Sequence, residues 1–299
     1  MNSLLALIRR NTKLFFKDKG VLFTSLITPI ILLVLYATFL ANVYRDSFNA
    51  SMPKGFDVPE KLINGCVGGE LFSSLLAVCC VTVAFCANML MVSDKVTGAK
   101  RDLTMAPVKK SVFALGYYIS TAITTLIVCL IATGASLIYL ANVGWYLSGM
   151  DIVKILLDVF LLVMFGTAIS SIINFFLSSQ GQISAVGTIV SAGYGFICGA
   201  YMPISQFGSG LQKVVSFLPG TYGTSLIRNH ALRGVFSEMK SLHFPSEVIE
   251  GIKDAIDCNL YFFGDKVELS SMYFILGGSV VLLIAVFVLI NILKRNSKA

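Results

Sequence analysis

Few side chains in this sequence are spaced to do chemistry. Acids, bases and histidines deep in an apolar setting could relay a coupled proton or ion, and the candidates are Glu70, Asp151, Lys154 and Asp158. Lys154 and Asp158 stand four residues apart, so on a helix they share a face and can pair. That spacing reads as a structural pair at a membrane boundary, with a relay as the alternative. His230 and His243 both fall late in the chain. No His, Cys, Asp and Glu spacing suits a metal, and no nucleophile–base constellation stands out, so the expected metal ligands and catalytic residues are none. No G-x-x-x-x-G-K-[ST] stretch occurs to cradle a nucleotide's phosphates. Cys79, Cys80, Cys86, Cys129 and Cys198 lie in apolar runs and read as packing residues. Cys66 and Cys258 lie in more polar surroundings and could form a disulfide.

The elements that must hold these residues follow from composition. The 299-residue chain is 56% hydrophobic and 13% charged, against about 25% charged in a soluble domain. So few charges cannot coat a water-exposed surface of this size, which excludes a soluble enzyme. Gly20–Tyr44, Leu71–Ser93, Ser111–Met150, Val159–Gln212 and Leu269–Leu293 contain no Asp, Glu, Lys or Arg. A crossing helix needs about 20 apolar residues. The fourth run is too long for one crossing, and the polar "SSQGQ" at Ser178–Gln182 divides it. The expectation is an all-α membrane protein with six spans at about 21–41, 69–92, 112–140, 152–177, 183–204 and 271–293. The first run is span-length with no small-residue cleavage site after it, so it reads as a retained span and not as a signal peptide.

Charge sets the expected orientation. Arg9, Arg10, Lys13, Lys17 and Lys19 precede the first span, Lys95, Lys100, Arg101, Lys109 and Lys110 lie between the second and third, and Lys294, Arg295 and Lys298 end the chain. The loop after the first span balances its cations with acids. By the positive-inside rule, both termini and the stretch 94–110 are cytoplasmic in a multi-pass plasma-membrane protein. The net charge of +7 is then explained by orientation and anionic lipid, and no nucleic-acid partner is expected. Residues 3–18 read as an interfacial amphipathic helix, with Leu4, Leu7, Ile8, Leu14 and Phe15 toward lipid and Arg9, Arg10, Lys13 and Lys17 opposite. Asn49-Ala50-Ser51 matches a glycosylation acceptor triplet.

The stretch "DKVTGAKRDLTMAPVKK", Asp94–Lys110, places an acid, Gly98, "DL" and "PV" in order, followed by "ALGYY". It resembles the cytoplasmic coupling loop of ABC exporter permeases of the drug and polysaccharide export class. "RNTKLFFKDKGVLFTSLITPIILLVLYATFL", Arg10–Leu40, is similar to that family's opening. "ICGAYMPISQFGSGLQKVVSFLPGTYGTSLIRNHALRG", Ile197–Gly234, is similar to its signature near the fifth span. Asp94 stands where Glu is usual, and Ala99 replaces the usual Thr after the glycine, with Thr97 preceding it. A coupling element has to be short and stiff. Gly98 permits close backbone approach, and Pro107 sets the start of the third span.

The resemblance covers nearly the whole chain and implies a single permease domain, 1–299, without bound cofactor. A separate ATPase subunit would bind ATP and Mg, and a second permease, identical or not, would complete the assembly in the lipid bilayer. The coupling residues implied are Asp94, Gly98, Arg101, Asp102, Leu103 and Pro107. The translocation path implied is lined by the second and fifth spans, with Phe85, Asn88, Met89, Tyr194, Phe196, Tyr201 and Met202. Such an aromatic and Met lining suits an amphipathic cargo: a drug, an antimicrobial peptide, a lipid or a lipid-linked glycan. Residues 212–234 read as an outer re-entrant hairpin, with Pro203, Pro219 and Gly220 as its gate, and 246–258 as a short amphipathic helix. The rival reading is an ion- or proton-coupled carrier without an ATPase.

Overall fold

The computed structural model describes residues 2–50, 58–105 and 108–296. Helix α1 covers Asn2–Lys17. Helix α2, Lys19–Leu35, continues through a π turn, Tyr36–Leu40, into α3, Ala41–Ala50. Helices α4, Glu60–Val96, and α5, Ala99–Met105, precede α6, Lys110–Val143, and α7, Gly149–Phe176. Helix α8, Gln180–Ile197, leads through a short turn to α9, Ser209–Val215, and α10, Pro219–Ser241. Helix α11, Ser246–Ala255, and a small antiparallel hairpin, β1 Leu260–Phe262 with β2 Asp265–Val267, precede α12, Leu269–Asn296. The hairpin is a local departure from an otherwise helical chain. Pro107 and Ser51 of the glycosylation triplet lie outside the described residues.

Among the described residues, five helical stretches are long and apolar enough to cross a membrane: Lys19–Asp46, Glu60–Val96, Ser111–Val143, Gly149–Phe176 and Leu269–Leu293. The protein is an all-helical, multi-pass membrane type. Helix α8, which covers most of the remaining expected span, has 18 residues, about 27 Å of helix against a hydrocarbon core of about 30 Å.

Helix α4 is the axis of the bundle. Its most apolar stretch is 89% buried, against 17% for α12, and α2, α6, α7, α8 and α10 pack around it. Helices α2 and α12 turn Phe23, Val34, Phe274, Val281 and Leu282 outward, an apolar surface suited to lipid. Helix α1 lies on α6. A side chain at Gly116 would overlap Leu7 at 2.3 Å, so glycine there lets α1 seat directly on α6. Leu7 and Phe15 are buried. Much of the apolar side of α1 expected in lipid is therefore spent on the protein.

Local sequence explains the breaks. Ser148 and Asp151 form a reciprocal capping box at the start of α7, and Ser179 and Gln182 form another at α8. The second is the physical content of the "SSQGQ" break. Helix α8 ends on Gly199 at φ +73°, with the Ala200 N–H donating back to the Gly195 carbonyl at 2.9 Å, a glycine-terminated Schellman closure. Pro219 opens α10 at its first turn.

Contacts between α10 and α7 run antiparallel. His230 meets Asp158 and Arg233 meets Asp151. A Cβ on Gly223 would meet Leu162, and one on Gly220 would meet Phe165. The start of α10 therefore lies level with Phe165, about 24 Å along α7 from its first residue.

Candidate functional site

The end of the bundle that carries α1, the last turn of α4 and α5 holds a compact ionic network. Asp94, in the last turn of α4, is buried, and its two carboxylate oxygens accept from Arg10 on α1 at 2.7 and 2.9 Å. The paired guanidinium fork fixes geometry as well as charge. The Tyr117 hydroxyl on α6 donates to the same carboxylate at 2.6 Å. Arg10 also donates to Asn11, whose amide reaches Ser120 on α6 at 3.3 Å. Asp94 thus clamps α1 and α6 onto α4. One residue later, Lys95 donates to the carbonyls of Asn174, Phe175 and Leu177 at 2.8–3.0 Å. It caps the unsatisfied end of α7, where a cation also opposes the helix dipole.

Helix α5 extends from this clamp. It has no buried residue. Gly98 sits at φ +84°, and none of the described residues comes within 4 Å of a Cβ placed there, so backbone conformation, not crowding, favours glycine. Arg101 and Asp102 are exposed and Leu103 is half-buried. The result is a one-to-two-turn helix, open to solvent, joined through a single glycine to residues bonded to three other helices.

A groove of about 1050 Å³ opens between α1 and α2 on one side and α4 and α8 on the other. Its lining is mainly apolar, with Lys17, Asp18 and Gln180 at one end. At the opposite end of the bundle, Arg228 on α10 is completely buried. It donates to Ser74 at 2.9 Å, Ser73 at 3.4 Å and the carbonyls of Gly199 and Ile256 at 3.0 and 2.8 Å. Four separate stretches of chain meet on this one guanidinium.

The sequence profile of the ABC-2 type transporter family matches residues 2–231. The chain belongs to this family. The matched stretch runs from α1 well into α10, so it takes in α5, the groove and Arg228. No curated protein and no solved structure matches the chain. The protein is therefore the membrane permease of an ABC transporter, a transport component of a family that normally works with an ATPase subunit.

Within this ABC-2 permease, the residues singled out from sequence distribute unevenly. Asp94, Gly98, Arg101, Asp102 and Leu103 all lie on or beside α5. Arg9, Lys13 and Lys17 are exposed, while Arg10 turns inward to Asp94. Of the path residues, Met89 lines the groove. Phe85 is buried in the core, and the Asn88 amide donates to Ser170 and Ser171 on α7 at 3.2 and 2.8 Å. Tyr194 is packed between α4 and the start of α10. Phe196 is exposed and meets Tyr201 edge-on with ring centres 5.1 Å apart. Met202 is half-buried, and Pro203 opens the turn Ile204–Gln206.

One expectation is corrected, and the open pairing of Cys66 with Cys258 is answered. Asp158 does not pair with Lys154; its carboxylate faces His230 at 2.6 Å and Tyr273 at 2.5 Å. The i,i+4 geometry was available, but Asp158 is fully buried and buried partners from α10 and α12 reach it. Cys66 and Cys258 are free, buried thiols, packed in the same apolar cluster beneath α11. Sequence reasoning missed the Arg10–Asp94–Tyr117 and Asp158–His230–Tyr273 contacts because each joins helices far apart in the chain. The available signal was slight: Tyr117 lies in an uncharged run beside a second tyrosine, and Asp158 directly precedes another uncharged run.

Proposed function

We propose that this permease is the membrane half of an ATP-driven exporter and that α5 is where a separate ATPase docks. The observation that carries this reading is the exposed α5, hinged at Gly98 and anchored through Asp94 and Lys95 to α1, α6 and α7. A docking element must transmit displacement without slack, and the bidentate ion pair and the triple carbonyl cap supply that stiffness. Pro107, which follows α5 in the sequence, completes the set of coupling residues in this reading. The basic end is then cytoplasmic, with both termini, as the distribution of Lys and Arg supports. ATP and Mg would be bound by the partner, and this chain contributes no nucleotide site.

In this reading α8 is the fifth of six crossings, and α9 with the start of α10 is a re-entrant hairpin from the outer side. The depth of Gly220 beside Phe165 supports that assignment, and Pro203, Pro219 and Gly220 would shape the outer gate. Two permeases, identical or different, would face each other across α2, α4 and α8, and inward- and outward-open states would alternate as the ATPases close and part. The groove, with Met89 inside it and Phe196, Tyr201 and Met202 beyond its end, suits a hydrophobic or amphipathic cargo such as a drug, a peptide, a lipid or a lipid-linked glycan. The seven native thiols are all buried, so Arg101→Cys offers a single exposed site for cross-linking. A short bifunctional reagent should join this position to the co-expressed ATPase in membranes. A cross-link to the ATPase from a site on α11 in place of α5 would refute the docking site.

The buried Asp158–His230–Tyr273 contact favours a second reading, an ion-coupled carrier. Transport that persists without any ATPase, and that collapses with the proton gradient, would establish it over the first.

A further inference from the structure

Three buried charges meet near the opposite end of α4. Glu70, Asp257 and Arg228 are each more than nine-tenths buried. Two carboxylates therefore face one guanidinium, and an uncompensated charge in such a site is strongly disfavoured. The two acids are held differently. Asp257 sits among donors: the Ile204 N–H at 2.6 Å, the Ser205 N–H at 3.2 Å, and Arg228 Nη1 at 3.6 Å. Hydrogen bonds to the charged form favour ionisation. Among the described residues, Glu70 Oε1 has no hydrogen-bond partner. The nearest guanidinium atom, Arg228 Nη2, is 4.0 Å away, beyond hydrogen-bonding distance, and already donates to Ser74 and Gly199.

A second unpartnered group lies beside it. The Tyr44 hydroxyl on α3 is buried and has no hydrogen bond among the described residues. Glu70 and Tyr44 line a cavity of about 50 Å³, closed by Pro203, Gln206 and the end of α11. That is room for one or two waters, which need several polar partners. Among the described residues, the other titratable groups facing Glu70 are Tyr36 on the π turn, Cys66 one turn earlier on α4, and Cys258 beside Asp257. None can supply a positive charge.

We propose that Glu70 is a proton-binding site, neutral in the native protein, whose carboxyl shares water in this cavity with the Tyr44 hydroxyl and leaves Asp257 alone to balance Arg228. A protonated carboxyl gains a donor as well as acceptors, so both unpartnered oxygens are satisfied by the same water. The proton comes from solvent and no other group changes charge. Its loss places a second negative charge on one guanidinium already committed to four other acceptors. Glu70 thereby makes the junction of α4, the turn after α8, α10 and the segment after α11 sensitive to pH.

Infrared difference spectroscopy on the full chain in lipid nanodiscs tests this. At neutral pH, wild type minus Glu70→Gln should show the C=O band of a protonated carboxylic acid. Carboxylate bands in that difference would overturn the assignment. Between the ordinary glutamate range and the higher pH at which Glu70 ionises in the folded protein, wild type should lose about tenfold in its folded-to-unfolded ratio per pH unit relative to Glu70→Gln, the linkage of one proton; equal slopes in that window would overturn it. Should Glu70→Gln fail to fold, Tyr44→Phe must shift the wild-type acid band, and an unshifted band removes the water bridge. A stabilisation of wild type specific to sodium over choline, at constant ionic strength, would mean that a metal cation and not a proton balances the site.

Discussion

Arg10 and Asp94 are bonded through both carboxylate oxygens across 84 positions of chain. The pair joins a helix lying on the bundle to the last turn of its central helix, two residues before α4 ends. Any force on α5 therefore reaches α1 and α6 as directly as it reaches α4. Tyr117 makes the same carboxylate a three-helix junction.

Asp94→Asn should weaken this junction. Arg10 keeps about 30% of its side chain exposed while Asp94 keeps 6%, so solvent screens part of the lost charge. The expected cost is about 1–2 kcal/mol, less than for a fully buried pair. Thermal unfolding in detergent measures it. Transport should fall further than stability does, because the variant still inserts but passes on less of the ATPase's movement.

Arg228→Leu should be far more damaging. It strands the buried Asp257 and four other acceptors at once, with an expected cost of about 3–5 kcal/mol. A lowered melting midpoint and reduced yield of folded protein would be seen, with partial rescue when Asp257→Asn is added.

Gly98→Ala tests conformation without crowding, since none of the described residues lies within 4 Å of the added Cβ. Positive φ costs a non-glycine residue about 1–2 kcal/mol. The substitution should reduce transport and leave the melting of the bundle nearly unchanged. Gly98→Asn should fall between Ala and wild type, because asparagine tolerates positive φ better.

Glu250 on α11 gives a pH signature outside the spans. Hydrogen bonds from Lys253, then Lys266, hold its carboxyl down at about 2. The folded value lies below the unfolded one, so its contribution is present above the ordinary glutamate range and fades as pH falls toward the folded value. The melting difference between wild type and Glu250→Gln should be constant near neutrality and vanish in strong acid.

Much of the fold was legible in sequence because uncharged runs and capping boxes are local. "SSQGQ" and its neighbours broke one long run for a chemical reason visible in the residues themselves. The position of α5 was legible from Gly98 and its flanking charges. What joins it to the bundle was not: Arg10 reads as one more cation on a basic helix face until α6 offers Gly116 and Tyr117 beneath it. Likewise Asp158 has an obvious neighbour at Lys154 and a buried partner 72 positions away at His230. Local spacing identifies available partners, and burial decides among them. The hairpin at Leu260–Val267 is too short to leave an alternating pattern.

The account's central claim is that ATPase motion enters the bundle through α5. The double variant Gly98→Trp with Asp102→Lys puts bulk and reversed charge on that exposed helix and leaves the Asp94 clamp untouched. Measured in vesicles with the ATPase co-expressed, it should insert normally while losing both transport and cargo-stimulated ATP hydrolysis. Transport at the wild-type rate in that variant would contradict the account.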